Sequence, residues 1–224
     1  MITAWLWTAL LFVTTERLLA RWGGLAASER LLAAGLLATF EICVLTQILG
    51  NLRLLHLPGL LLASFVWMGA KIAALILLRP PTEASFGPCP PRRTPAIVVG
   101  AVLVAGATYG LLLALAWAIP ADGWDALTYH LTMVDHWKDT ASLDRAPILG
   151  RSNFFPINAN LLMAWMAVLG GGLNAANAVQ LPFAILSALA AYCWARRLAG
   201  PEWATWAGMS VLLTPAILFH CIFP

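Results

Sequence analysis

The sequence predicts an all-α, polytopic membrane protein, and three observations support this fold class. Of the 224 residues, 61% are hydrophobic and only 10% are charged, whereas soluble domains carry roughly 25% charged residues. Apolar runs of about 20 residues recur along the chain, and that length crosses a hydrocarbon layer roughly 30 Å thick. The runs are apolar throughout instead of alternating with polar residues, which excludes an outer-membrane barrel. Soluble and disordered classes are excluded by the same composition.

Six apolar stretches are predicted to span the membrane. They cover residues 3–19, 31–50, 58–78, 96–119, 175–194 and 203–223. The first stretch lacks a basic start and a cleavage site, so we expect a retained helix instead of a signal peptide. Basic residues concentrate in the first, third and fifth loops: Arg21, Arg30, Arg79, Arg92, Arg93, Arg196 and Arg197. The positive-inside rule places these loops in the cytoplasm and the long fourth loop, residues 120–174, outside.

Two surface helices are predicted within this outer loop. The first covers residues 123–138, and the second covers residues 158–169, which are too few to span a membrane and precede three glycines. We expect both to lie along the outer membrane face. A proline-rich inner loop divides the chain into three leading helices, residues 1–95, and a second part, residues 96–224.

Two charged residues fall inside predicted spans. Glu41 lies near the middle of the second span and Lys71 about two turns from the inner end of the third. An isolated charge at that depth costs several kcal/mol, so antiparallel neighbours are expected to pair the two side chains. Such a pair could serve a proton or ion path, but with no further ionisable chain behind it the structural role is favoured.

The helix predicted over residues 123–138 has a narrow polar face. At about 100° per residue, Asp125, Tyr129, Thr132 and His136 fall within roughly 60° of one another. A carboxylate at the boundary between lipid and water could act as a general base on a substrate that is itself partly lipid. Asp125 could equally stabilise the helix N-terminus, because an acidic residue is favourable there. Spacing alone leaves both roles open.

Metal and nucleic-acid functions find little support. His130 and His136 fall on different faces of the predicted helix, so exposed histidines are favoured over zinc ligands. No two of the four cysteines form a CxxC pair, which argues against a disulfide or zinc framework. The net charge of +3 is dispersed, so no nucleic-acid partner is expected. No cofactor is expected, although a divalent metal remains open.

Residues 124–137, WDALTYHLTMVDHW, resemble the first extracytoplasmic loop of the GT-C glycosyltransferases. The group includes the protein O-mannosyltransferases and the aminoarabinose transferases that modify lipid A, and the closest likeness is to bacterial members with a WD(S/A)LTYH sequence. Residues 153–165 are similar to the proline-containing surface helix of the family, and residues 181–200 to its next span. The resemblance covers about residues 96–224 and implies the start of a GT-C-like catalytic core. Because family enzymes are considerably longer, it also implies that this chain is the N-terminal part.

The resemblance implies transfer of a sugar, with inversion, from a polyprenyl-phosphate carrier to a lipid, glycan or protein acceptor. The reaction would occur on the extracytoplasmic side of a bacterial inner membrane, within the cell envelope. Asp125 matches the loop carboxylate of the family and would accept the proton of the attacking hydroxyl. Basic groups would stabilise the departing phosphate.

Further residues are implied to bind substrate. Arg151 is the best placed of the loop's basic residues for the phosphate, and Asp135 corresponds loosely to a second acidic position. The substrate-binding candidates are Tyr129, Asp135, His136, Lys138 and Arg151. The chain departs from the family at Asn158 and Asn160, where related helices often carry Glu or Lys. The alternative function is a non-catalytic membrane scaffold or a transporter segment.

Overall fold

The computed structural model describes residues 2–22, 24–78, 96–119, 126–147, 149–150 and 157–220. The α-helices are α1 (Ile2–Trp22), α2 (Ala27–Asn51), α3 (Leu57–Leu77), α4 (Ala96–Ala118), α5 (Leu131–Thr140), α6 (Asn158–Gly170), α7 (Gln180–Leu198), α8 (Pro201–Leu212) and α9 (Pro215–His220). A π-helical turn, Ala126–His130, precedes α5, and a 3₁₀ turn, Leu173–Val179, precedes α7. The predicted all-α class is confirmed.

Within those ranges, four helical segments are long and apolar enough to cross a membrane. They are Ala27–Asn51, Leu57–Leu77, Val99–Ala116 and Leu173–Leu198, and they overlap the second to fifth predicted spans. Large apolar side chains such as Phe40, Phe65 and Leu103 are exposed on their outer surfaces. Extended apolar surface of this kind is unusual on a soluble monomer and suits contact with lipid. The four helices therefore indicate a multi-pass membrane protein.

The first and last predicted spans differ from these four. Helix α1 is long enough, but Glu16, Arg17 and Arg21 make its second half charged, and it is not among the four apolar segments. The sixth span, predicted as one helix over residues 203–223, is wrong in that form. The helix ends at Leu212 and a new one begins at Pro215, because proline has no backbone N–H to continue the hydrogen-bond ladder.

Arginine side chains connect the described helix ends at one end of the bundle, which we call the basic end. The contacts are Arg30–Glu16 at 2.6 Å, Arg197–Glu29 at 2.6 Å, and Arg21 to the Leu78 carbonyl at 3.0 Å. The second half of α1 is thereby connected to the start of α2 and the end of α3, and the end of α7 is connected to the start of α2. The predicted boundary in the third loop lies outside the described residues.

The second loop and the long fourth loop meet at the opposite end, which we call the loop end. Leu55 N–H donates to the Ala141 carbonyl at 2.9 Å, and Leu143 N–H donates to the Gly50 carbonyl at 3.3 Å. Gly50 permits this approach, because a Cβ there would overlap the Leu143 side chain. The described helix ends beside the first, third and fifth loops therefore lie opposite the loop end, and the assignment of the basic end to the cytoplasm stays a prediction.

Helix α6 lies at the centre of the packing, and its predicted position on the membrane face is wrong. Every residue from Asn160 to Leu169 is buried, with α1, α2, α3 and α5 packed around it. Trp165, only 1% exposed, donates from Nε1 to Thr8 Oγ1 of α1 at 3.1 Å. Apart from the asparagines of its first turn, α6 is apolar on all sides, and a helix of that kind is stable where protein surrounds it.

The predicted ion pair between Glu41 and Lys71 is confirmed. Lys71 Nζ lies 2.7 Å from Glu41 Oε2. The ammonium also donates to Thr15 Oγ1 at 2.8 Å and to the Leu11 carbonyl at 3.1 Å. Thr15 Oγ1 lies 3.0 Å from Glu41 Oε1, so three helices share one polar network. Every donor of the ammonium is thus engaged within α1–α3, which supports a structural role over an ion path.

Candidate functional site at the loop end

Helix α5 is amphipathic, and a π-helical turn precedes it. Leu131, Val134 and Trp137 are buried as the core-facing side of α5. Leu127, in the turn that precedes α5, is 54% exposed. That turn is π-helical, so its hydrogen bonds join residues five apart and the advance per residue is smaller than in an α-helix. Thr132 Oγ1 donates to the Leu127 carbonyl across the same five-residue spacing at 2.7 Å.

The π-helical turn is bound to α6 by a reciprocal pair of hydrogen bonds. Asn160 Nδ2 donates to the His130 carbonyl at 3.3 Å, and His130 Nδ1 lies 3.0 Å from Asn160 Oδ1. Asn160 is only 2% exposed and belongs to the first turn of α6. The sequence predicts an exposed His130, and it marks Asn160 only as a departure from the family pattern. Thirty residues separate them, so no local pattern predicts this contact.

The structure describes four of the five substrate-binding candidates. Tyr129 is half-buried in the π-helical turn with its ring 4.0 Å from the His130 ring. His136 lies in α5, and its buried Nε2 has no hydrogen-bond partner among the described residues. Asp125 and Arg151 lie outside the described residues.

Asp135 and Lys138 lie together on the outer side of α5. Lys138 Nζ lies 3.2 Å from Asp135 Oδ1 and 3.4 Å from Asp139 Oδ1. The hydrogen bond that Lys138 donates to Asp135 raises the pKa of Lys138 above its ordinary value, and the Asp139 carboxylate acts in the same direction. Two carboxylates therefore balance this ammonium, which makes Lys138 a weaker candidate for binding a phosphate.

Removing one of these carboxylates should lower the pKa of Lys138. In the Asp135→Asn variant we expect that pKa to fall toward the ordinary lysine value, because the larger of the two interactions is lost. Because the pKa is raised on folding, the pair stabilises the protein below the unfolded-state pKa, and this contribution disappears as the pH rises through the folded-state value. Lys71 and Lys138 are the only lysines in the sequence, so the NMR titration of ¹³C-methylated lysine is easily assigned. An unchanged Lys138 titration in this variant would contradict the pairing.

A second asparagine, also missed from the sequence, supports the start of the outer loop. Asn177 is 1% exposed in the 3₁₀ turn before α7. Its Nδ2 donates to the carbonyls of Ala116 and Ile119, at 3.3 and 3.2 Å. Those carbonyls lie at the C-terminal end of α4, where a helix has no partners of its own for them. Asn177 thereby ties the end of α4 to α7 where the outer loop begins.

A groove of about 670 Å³ runs between α2, α6 and α7. Its lining is mainly apolar, with Phe40, Leu161 and Phe183 among the contributors. Its uncharged polar side chains are Thr39, Cys43, Gln47, Asn158 and Gln180. Since Asn158 and Gln180 begin α6 and α7, the groove reaches the loop end of the bundle. An apolar channel with neutral hydrogen-bonding groups suits a lipid chain better than a charged solute.

The described part of the chain contains no group of three or more His, Cys, Asp or Glu side chains arranged to hold a metal ion. Fold and site together define a multi-helix chain with four candidate membrane spans and a polar helical turn bound to a buried helix at one end. Compared with family models, curated proteins and solved structures, the chain has no match. Support for its function therefore comes from its own residues.

Proposed function

We propose that the protein is a glycosyltransferase of GT-C type that moves a sugar from a polyprenyl-phosphate carrier to a lipid, glycan or protein acceptor, with inversion. It would act at the extracytoplasmic face of a bacterial inner membrane. The observation that carries the proposal is the position of the WDALTYH segment: its described residues form a polar turn held by Asn160 at the loop end, away from the arginine-rich basic end.

The proposed reaction is a single displacement at the anomeric carbon. The acceptor oxygen attacks that carbon, the bond from carbon to phosphate oxygen breaks, and the polyprenyl phosphate departs with the electron pair. Asp125 takes the proton of the attacking hydroxyl. With Lys138 balanced by Asp135 and Asp139, Arg151 is the preferred partner for the departing phosphate.

The groove between α2, α6 and α7 supports a lipid-linked donor. Its apolar walls could hold an isoprenoid chain, while Gln47, Asn158 and Gln180 offer neutral hydrogen bonds near the loop end. A lipid-linked sugar has this combination of a long apolar part and a polar head. The groove would thus direct the sugar toward the end of the bundle that carries Tyr129 and His130.

The competing function is a transporter segment or a non-catalytic scaffold. A transporter is expected to place functional polar groups near the membrane midplane, often on broken helices. The polar network within the described spans, Glu41 with Lys71 and Thr15, is closed by mutual hydrogen bonds. The break between α8 and α9 is the feature that a transporter would use, and it carries no charged side chain in its described residues.

The direct test is sugar transfer by the purified protein in nanodiscs. The donors are undecaprenyl phosphates that carry radiolabelled hexose, pentose or aminopentose, and the acceptors are lipid A, a polyprenyl-linked glycan and an unstructured serine-rich peptide. Time-dependent transfer of label to one acceptor class supports the enzyme. Absence of transfer from every donor, with substrate-independent ion flux instead, would support the transporter.

A topology prediction follows from the distribution of arginines. Asp139 is exposed on α5, with 69% of its side chain accessible. In intact cells, an impermeant maleimide should label Asp139→Cys but not the native Cys89 of the third loop, and permeabilisation should make Cys89 reactive. A Cys89→Ser background provides the control for the engineered cysteine. Labelling of Cys89 alone in intact cells would invert the topology and contradict an outer-face site.

A further inference from the structure

The hydrogen bonds between Asn160 and His130 determine which ring nitrogen of His130 carries the proton. The His130 carbonyl can only accept, so the Asn160 atom that faces it at 3.3 Å is the amide nitrogen. The other amide atom, Oδ1, then faces His130 Nδ1 at 3.0 Å. Because Oδ1 can only accept, Nδ1 must donate. In the neutral ring, the lone pair therefore resides on Nε2.

His56 is held in the opposite tautomer. It caps the N-terminus of α3, where the Gly59 N–H donates to His56 Nδ1 at 3.0 Å. Nδ1 is therefore the acceptor, and the neutral ring carries its proton on Nε2. Two histidines at the loop end thus have opposite tautomers, one set by a backbone amide and the other by a buried side chain.

The cost of the Asn160 arrangement points to a function beyond packing. A buried polar side chain destabilises a core unless its hydrogen bonds are made, and an apolar residue would fill the same place without that requirement. The bonds of Asn160 fix a π-helical turn, a feature that occurs frequently at functional sites. The turn, Ala126–His130, lies within the WDALTYH segment and directly follows Asp125.

We propose that Asn160 is a positioning residue that holds His130 in the Nδ1–H tautomer, so that His130 Nε2 accepts a hydrogen bond from a hydroxyl of the sugar acceptor. This inference rests on the proposed glycosyltransferase function. His130 orients the hydroxyl, while proton removal stays with Asp125. Asn160 acts only through His130, because its own amide is occupied by the His130 carbonyl and Nδ1.

The tautomer can be measured without any substrate. In ¹⁵N NMR spectra of neutral histidine rings, His130 should show a protonated Nδ1 and an unprotonated Nε2, and His56 the reverse pattern. Spectra of His130→Asn and His56→Gln variants assign the two rings. In Asn160→Leu, His130 should lose the Nδ1–H pattern while His56 keeps its own. A wild-type His130 ring protonated on Nε2 would overturn the assignment, even if Asn160→Leu failed to fold.

The role of Nε2 is tested by two substitutions that each keep one ring nitrogen's function. Asparagine at position 130 can still donate to Asn160 but lacks an acceptor at the place of Nε2, whereas glutamine can place its carbonyl oxygen there. We expect His130→Asn to lower kcat/KM roughly ten-fold by raising the KM for the acceptor, because one hydrogen bond is lost. His130→Gln should lower kcat/KM less than His130→Asn does.

The reverse order of activities, with His130→Asn near wild type, would show that His130 is only structural and would overturn the proposed role. If the wild-type protein transfers no sugar, the proposed function and the role of Nε2 fail together. The NMR measurement would still decide whether Asn160 holds the tautomer, so the two failures are distinguishable.

Discussion

Replacing Asp125 with asparagine is expected to lower the rate of sugar transfer roughly 100-fold to 10,000-fold, the usual contribution of a positioned general base. Asparagine keeps the size of the side chain and nearly all of its ability to stabilise a helix start, but it removes the oxygen that accepts the proton. Expression and membrane insertion should therefore be unchanged. The measurement is initial rate of transfer from the labelled polyprenyl-phosphate donor, with the protein expressed from its complete coding sequence.

Asp139→Asn is the matched control for this experiment. Asp139 has a 69% exposed side chain on α5 and contacts only the already paired Lys138, so its replacement should change the rate little. Near-normal transfer by Asp125→Asn would show that Asp125 serves the helix terminus and that the resemblance misplaces the base. Equal losses in both variants would instead indicate a general electrostatic requirement of this segment.

Replacing Lys71 with methionine should destabilise the folded protein by about 3–5 kcal/mol, because it leaves the Glu41 carboxylate buried without its partner. Lys71 is 6% exposed on its side chain and Glu41 is 12% exposed, so solvent offers little compensation. Among the described residues, Thr15 retains a hydrogen bond to the carboxylate. The free energy of unfolding can be measured by titrating dodecyl maltoside micelles with sodium dodecyl sulfate.

Two further variants separate the loss of the pair from the loss of a lysine. The double variant Glu41→Gln/Lys71→Met should recover most of the stability, since replacing both ions is often nearly neutral. Lys138→Met removes the other lysine, whose pair is 34% and 45% exposed, and should cost less than about 1 kcal/mol. A double variant no more stable than Lys71→Met would show that the network has a specific role beyond charge balance.

The buried pair illustrates what a sequence can predict about a tertiary contact. Charge inside an apolar run is costly whatever surrounds it, and Glu41 and Lys71 lie on consecutive helices that must run antiparallel across a short loop. Those two facts were sufficient to predict the pair. Thr15, its third member, carries no charge and had no comparable signal, so its part in the network emerges only from the packing of α1.

The candidate site depends on contacts that the sequence alone does not predict. The segment that contains Tyr129, Asp135 and His136 was predicted as a helix, and most of it is helical. The π-helical form of residues 126–130 was not predicted, because the prediction applied the α-helical period of 3.6 residues throughout. Asn160 could not be connected with His130 by periodicity, since they belong to different helices.

The sequence by itself determined the membrane-type composition, the main helices and the alternation of loops between two ends, because these depend on local hydrophobicity, helix length and charge. Only the tertiary structure decided that α6 is central and that Asn160 holds His130. Each of these depends on which surfaces meet. Burial of α6 requires four neighbouring helices, and the tautomer of His130 follows from one amide aligned by that burial.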